Sequence, residues 1–215
     1  MKHGAIFDMD GTLLDTERFY TIAWIETADI FGVEREPELA KRMSGTSAKM
    51  MPGILHEFYP DVDAQKYLEK VRAYVKSESD KELRLMTGVK DILEYFKSKN
   101  VAMAVASSSL KSVVDANLTR AGIRDYFQVI IGGDQIKNGK PAPDIFIKAA
   151  EEMNIAPADC YVFEDSLNGV RAGHASGALT IMIPDQTEPT EEIKKICRVY
   201  DSLTNAMKAI INEEC

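Results

Sequence analysis

Residues 5–17 read AIFDMDGTLLDTE. Two aspartates, Asp8 and Asp10, stand two positions apart at the end of an apolar run, and Gly11 and Thr12 follow. In an extended chain, side chains at i and i+2 share a face. Two carboxylates are therefore crowded together, and without compensation one of them is driven toward its protonated form. Two arrangements resolve the conflict. A hard dication such as Mg²⁺ takes oxygen ligands and binds through one or two carboxylates together with a phosphate. Alternatively the pair divides its labour, one Asp ionised as nucleophile and the other protonated as general acid. Gly11 permits a tight turn, and Thr12 offers a hydroxyl and an N–H beside the pair. Taken alone, the pattern also fits a calcium-binding or capping loop.

Three further segments carry chemistry of the same kind. VAMAVASSSL (101–110) ends an apolar run on Ser107 and Ser108. A strand-end hydroxyl followed by the free N–H groups of a helix start favours an anion. NGKPAPDIF holds Lys140 in a loop bounded by Gly and Pro, where a rigid ammonium is a good counter-charge for a phosphoryl group. YVFEDSLNGVRAG ends another run with adjacent acids, Glu164 and Asp165, which again invite a metal. Each segment has a bland alternative by itself: serines cap helices, most lysines are solvated, and an acidic pair can cap a helix.

The elements that must position these residues are short apolar runs: 5–7, 101–106, 129–132, 160–163 and 178–183. Helix-like stretches at 88–99, 110–121, 143–154 and 167–176 lie between most of them. Buried strands alternating with helices predict an α/β fold, a Rossmann-like parallel sheet with helices on both faces. Ligands of such sheets sit at the carboxyl ends of the strands, where DMD, SSS and ED fall. Residues 16–82 break the alternation. Their pattern is helical, with helices expected over 36–43, 47–58 and 63–79 after a first one that stops at Gly32. The expected organisation is a catalytic core of 1–15 and 83–215 with an all-helical cap, 16–82, inserted after the first strand and able to act as a lid.

The four signals, in this order and each at a strand end, resemble the haloacid dehalogenase superfamily of phosphohydrolases and phosphomutases. KPAPDIFIKAA and EDSLNGVRAGHASGA are similar, nearly residue for residue, to the branch containing β-phosphoglucomutase and small sugar-phosphate phosphatases. The resemblance implies that Asp8 attacks phosphorus and becomes an aspartyl-phosphate. It implies that Asp10 protonates the leaving oxygen and then activates water. Asp8, the Asp10 carbonyl and Asp165 would hold Mg²⁺, with Glu164 in or next to the shell. Ser107, Ser108, Lys140, Gly11 and Thr12 would bind the phosphoryl group, and Asn168, by its place in the helix after Glu164 and Asp165, is a candidate to steady the metal site from behind. The β-phosphoglucomutases carry a His and an Arg in the cap where this chain has Tyr20 and Ala48, and they tend to have Val at Thr12. These departures favour a phosphatase acting on a small phosphomonoester such as a sugar phosphate, with the mutase as the alternative. Tyr20 and the cap turn of Gly45, Thr46, Ser47 and Lys49 are the candidates to read the substrate. The turn equally fits a plain helix start. A receiver-type phospho-switch shares an acidic pair, a Ser or Thr and a Lys on a parallel sheet, but it is shorter and has no helical insertion.

Bulk properties narrow the classes. The 215-residue chain carries a net charge of −8 and is 45% apolar. That charge argues against nucleic acid or an acidic membrane as partner, and makes local positive charge necessary for an anionic metabolite. Cys160, Cys197 and Cys215 fit no metal or redox spacing. No run approaches transmembrane length, and the first residues make a poor signal peptide. A cytoplasmic, monomeric enzyme is expected. His3, His56 and His174 lie outside the constellation.

Overall fold

The computed structural model describes residues 1–212; Cys215 lies outside them. Six strands form one parallel sheet: β1 (Gly4–Phe7), β2 (Ala102–Ser107), β3 (Val129–Gly132), β4 (Cys160–Glu164), β5 (Leu179–Met182) and β6 (Arg198–Val199). Their order is β3-β2-β1-β4-β5-β6, the doubly wound arrangement of a Rossmann-like sheet. β1 lies between β2 and β4, with Phe7 opposite both Val105 and Phe163. The three strand ends that carry the acidic and hydroxyl residues are therefore neighbours, although they are far apart in sequence.

Alternation along the strands sorts the core into two layers. Phe7, Val105 and Phe163 pack with α5 (Val89–Ser98), α6 (Lys111–Arg120) and α9 (Leu203–Ile211). Ile6, Ala104, Ala106 and Val162 pack with α7 (Asp144–Glu152) and reach Ala172 of α8 (Leu167–Ala175). Stacking of Phe7 on Phe163, with centroids 4.6 Å apart, locks β1 to β4 directly below Asp8.

Between β1 and β2 stand four helices of the insertion, α1 (Glu17–Phe31), α2 (Pro37–Met43), α3 (Met51–Phe58) and α4 (Ala64–Lys81). They enclose an apolar cluster of their own around Leu39, Leu55, Tyr67 and Val71. α1 ends on Gly32 in the left-handed region, as a glycine C-cap allows. α3 starts at Met51 rather than 47, because Pro52 favours a helix's first turn, where its missing N–H has no intrahelical partner. The two connections to the core pair with each other: Asp15 N–H donates to the Arg84 carbonyl at 3.0 Å and Met86 N–H to that of Leu13 at 3.0 Å. β6 and α9 were not anticipated from the sequence. No helix among the described residues is long and apolar enough to cross a membrane.

Candidate active site

Asp8 follows the last residue of β1, and its N–H donates to the Phe163 carbonyl at 2.9 Å. The even-numbered positions of β1 and β4 face α7, so Asp8 and Glu164 project to the side from which Lys140 enters. Lys140 Nζ donates to Asp8 Oδ1 at 2.5 Å, to Glu164 Oε1 at 2.5 Å and to the Ala106 carbonyl at 3.3 Å. The lysine is 1% exposed. Burial works against its ammonium, but Asp8 and Glu164 outweigh it and hold the proton more tightly than usual.

Glu164, expected in or beside a metal shell, is committed elsewhere. Its Oε1 is taken by Lys140. Its Oε2 accepts from the N–H groups of Asp165 and Ser166 at 3.0 and 2.9 Å and from Ser166 Oγ at 2.9 Å. The carboxylate thus sits on the N-terminus of α8, where free N–H groups favour negative charge. Asp165 leaves the strand and turns toward Gly11. A Cβ on Gly11 would lie 2.4 Å from Asp165 Oδ2, and Gly11 has φ +78°. Glycine is thus required there both for the turn and for the approach of the third acid.

Asp10 is held differently from Asp8. Its Oδ1 accepts from Thr16 Oγ1 at 2.6 Å, and its Oδ2 accepts from Ser109 Oγ at 3.2 Å and Ser107 Oγ at 3.5 Å. Burial raises its pKa, against the pull of these donors. Burial also pushes Asp8 up to about 8 against the pull of Lys140, with Glu164 and Asp10 adding to the rise. Asp165 is raised by burial and then by the charges of Glu164, Glu17 and Asp8. Glu17, at the start of α1, is pushed up to about 8 by burial and by Asp10 and Asp8.

Lys140 thus pairs with Asp8 and Glu164 and is felt at Asp10 and Asp165, while Glu17 adds a fifth acid whose rise comes from Asp10 and Asp8 as well as burial. Among the described residues no three His, Cys, Asp or Glu side chains form a ready-made metal cage. The donor set is nonetheless of the kind Mg²⁺ uses, since that ion keeps several waters and needs only one or two carboxylates plus a phosphate. Asp165 accepts no side-chain hydrogen bond among the described residues, and neither does Asp8 Oδ2. The excess of negative charge and these open oxygens fit a hard dication.

The remaining predicted residues divide into two groups. Tyr20, Gly45 and Thr46 line, with Asp8, Asp10, Ser107, Ser108 and Asp165, a cavity of about 550 Å³ between the insertion and the core. Ser47, Lys49 and Asn168 fasten the insertion to the core instead. Lys49 Nζ donates to the Ile136 carbonyl at 2.8 Å, and Ser47 packs over Gly139. Asn168, expected behind the metal site, gives its amide to the Ser44 carbonyl and Thr46 Oγ1, both at 3.3 Å. Ser108 Oγ makes a further contact of this kind by donating to the Gly45 carbonyl at 3.1 Å. The Thr12 hydroxyl, expected to meet phosphate, is fully buried without a partner and lies outside the cavity wall. Thr16, Glu17 and Ser109 were missed. The signal was present, because a residue opening a helix straight after the DxDGT turn must start beside that turn.

Comparison with known proteins agrees with this geometry. The model of the haloacid dehalogenase-like hydrolase family matches residues 5–183, and the chain belongs to that family. A phosphorylated carbohydrates phosphatase of Thermotoga maritima is 35% identical over 80% of this chain and 80% of its own length. A probable pseudouridine-5'-phosphatase of Drosophila melanogaster is 32% identical over 93% and 89%. A fructose-1-phosphate phosphatase of Escherichia coli is 32% identical over 81% and 92%. Among solved structures, a β-phosphoglucomutase of Clostridium difficile superposes with a TM-score of 0.84 at 25% identity, covering 99% of this chain and 96% of the other.

Breaking a buried ion pair by removing one partner costs about 3–5 kcal/mol. Lys140→Met strands Asp8 and Glu164 together, so its unfolding free energy in urea, measured without divalent metal, should fall by about that amount. An unchanged urea midpoint would show that Lys140 does not hold these carboxylates.

Proposed function

We propose that this protein is a Mg²⁺-dependent phosphatase that hydrolyses a small phosphomonoester of the sugar-phosphate class through an aspartyl-phosphate on Asp8. The observation that carries the reading is the unequal treatment of the two strand-end aspartates. Lys140 fixes Asp8 through Oδ1, which leaves Oδ2 open for attack. Asp10 is ringed instead by the hydroxyls of Thr16, Ser109 and Ser107 and has no ion-pair partner among the described residues, so with both aspartates buried it is the partners that set them apart. Asp8 oxygen forms the new bond to phosphorus as the ester oxygen leaves with the proton of Asp10. Asp10 then takes a proton from the water that releases inorganic phosphate and regenerates Asp8. Asp8, the Asp10 carbonyl and Asp165 are the groups that would hold Mg²⁺. When bound, the ion supplies the positive charge that phosphoryl oxygens need and that the −8 chain lacks. Lys140 lies beneath Asp8 rather than in the cavity wall, so its part is to orient the nucleophile and offset its charge.

The sugar-phosphate class is supported by the two relatives named for carbohydrate phosphates. A mutase must grip a second phosphate in the cap while the sugar turns over. The positions that would carry the mutase His and Arg are Tyr20 and Ala48, both in the cavity wall, and Ala48 brings no charge. Asp8→Asn should lower turnover of p-nitrophenyl phosphate by roughly a thousandfold or more. Chelation of divalent metal should abolish wild-type turnover and added Mg²⁺ restore it. Robust hydrolysis by Asp8→Asn would refute the nucleophile.

We also propose that the insertion opens and closes about its paired connections, with the 44–49 turn as the latch. Closure would exclude water from the phosphoryl group. A Cβ on Gly139 would lie 2.1 Å from Ser47 Cβ, a clash confined to the latch. Overpacking costs about 1–3 kcal/mol, so Gly139→Ala should lower kcat/KM roughly tenfold or more. Adding Ser47→Gly, which removes the opposing atom, should recover most of the loss. Failure of this rescue in the double mutant would count against a latch at this contact.

A further inference from the structure

Tyr20 stands on α1 of the insertion and lines the cavity together with Asp10 and Ser109. Ser109 belongs to the core, in the turn between β2 and α6. The Tyr20 hydroxyl is buried, feels the charges of Asp10 and Glu17, and hydrogen-bonds with the Ser109 side chain. A buried tyrosine O–H takes a partner, and here that partner is a residue already bound to Asp10.

Ser109 is fixed along its backbone. Its N–H donates to Ser107 Oγ at 3.1 Å, and its carbonyl accepts from the Gly133 N–H at 2.9 Å. What stays open is the choice among staggered rotamers of its side chain. The observed one aims Oγ at Asp10 Oδ2, 3.2 Å away. A serine hydroxyl has a single proton to give. Ser109 gives it to Asp10, so toward Tyr20 it accepts and the Tyr20 O–H donates. The hydrogen bonds therefore run in one direction, from Tyr20 to Ser109 to Asp10, and bonds in such a chain polarise one another. Without the Tyr20 O–H nothing selects this rotamer. If Ser109 turns away, the hydroxyl left at Asp10 Oδ2 is that of Ser107, at 3.5 Å.

We infer that Tyr20 is a positioning residue for the acid step: through Ser109 it holds the Asp10 carboxyl in the orientation from which its proton reaches the leaving oxygen. This rests on the phosphatase reading above and deepens it. The bond from phosphorus to the ester oxygen breaks as the bond from Asp8 to phosphorus forms, and the Asp10 proton goes to the departing oxygen. Tyr20 and Ser109 keep their own protons throughout. An ester with a strongly basic leaving group needs the Asp10 proton most, whereas a stabilised phenolate departs with little help.

Phenyl phosphate and p-nitrophenyl phosphate present these two cases in bodies of similar shape, neither with a sugar hydroxyl to be read. Tyr20→Phe keeps the ring and removes the hydroxyl. With Mg²⁺, its kcat/KM should fall roughly tenfold further for phenyl phosphate than for p-nitrophenyl phosphate. Ser109→Ala should show the same selective loss, and Tyr20→Phe added to it should cost little more, because the two residues act in series. Equal losses on both esters would make Tyr20 a packing or substrate contact and would overturn the inference while leaving the phosphatase reading standing. Losses that multiply in the double variant would do the same. Turnover of neither ester by the wild type would refute the phosphatase reading and the inference with it.

Discussion

One buried ammonium shared by two carboxylates is the contact on which the site depends. Lys140 is nearly inaccessible to solvent, yet among the described residues it is the one cation paired with Asp8 and Glu164. Removing charged groups from water is costly unless they are paired and hydrogen-bonded. Glu164 meets that condition through Lys140 and the α8 N-terminus, and Asp8 meets it at only one oxygen. The remaining imbalance, spread over Asp8, Asp10, Glu17 and Asp165, makes the site a receptor for external positive charge. Burial, against the pull of its hydroxyl donors and Lys140, favours the protonated form of Asp10. A site arranged in this way can deliver a proton to a leaving group beside an attacking carboxylate.

The sheet makes this arrangement possible. β1 between β2 and β4 gathers residues from positions 8, 107 and 164–165 onto one edge. Strand parity then sends Asp8 and Glu164 to the α7 face, where Lys140 waits, while Phe7 and Phe163 stack on the opposite face. The insertion completes the chamber from above. Its helices α1 and α4 face the strand ends and the start of α6 across one cavity.

Much of this was legible in the residues. The short apolar runs marked β1 to β5, and the loss of alternation after Thr16 marked the helical insertion. Asp8, Asp10, Lys140 and Asp165 were recognisable because each stands at a strand end or in a rigid loop beside one. β6 was missed because two exposed residues leave no apolar signal. α9 could have been read from Ser202 as a cap and from Leu203, Ala206 and Ile210 on one face. Glu164 and Asp165 looked interchangeable as a pair of adjacent acids. Only the parity of β4 shows that Glu164 turns to Lys140 while Asp165 turns to Gly11. The contacts of Asn168, Lys49 and Ser108 between insertion and core depend on how the insertion sits on the core, which no local pattern encodes.

The central claim is that Asp8 becomes covalently phosphorylated while Asp10 manages the protons. The most direct measurement is the intact mass of the Asp10→Asn variant, quenched in acid within seconds of mixing with Mg²⁺ and a reactive phosphomonoester, followed by peptide mapping. The account predicts one added phosphoryl group, carried by the peptide that contains Asp8, because loss of the water-activating group slows release of the acyl-phosphate. Phosphorylation on any other residue, or turnover with no phosphorylated protein at the earliest times, would contradict it.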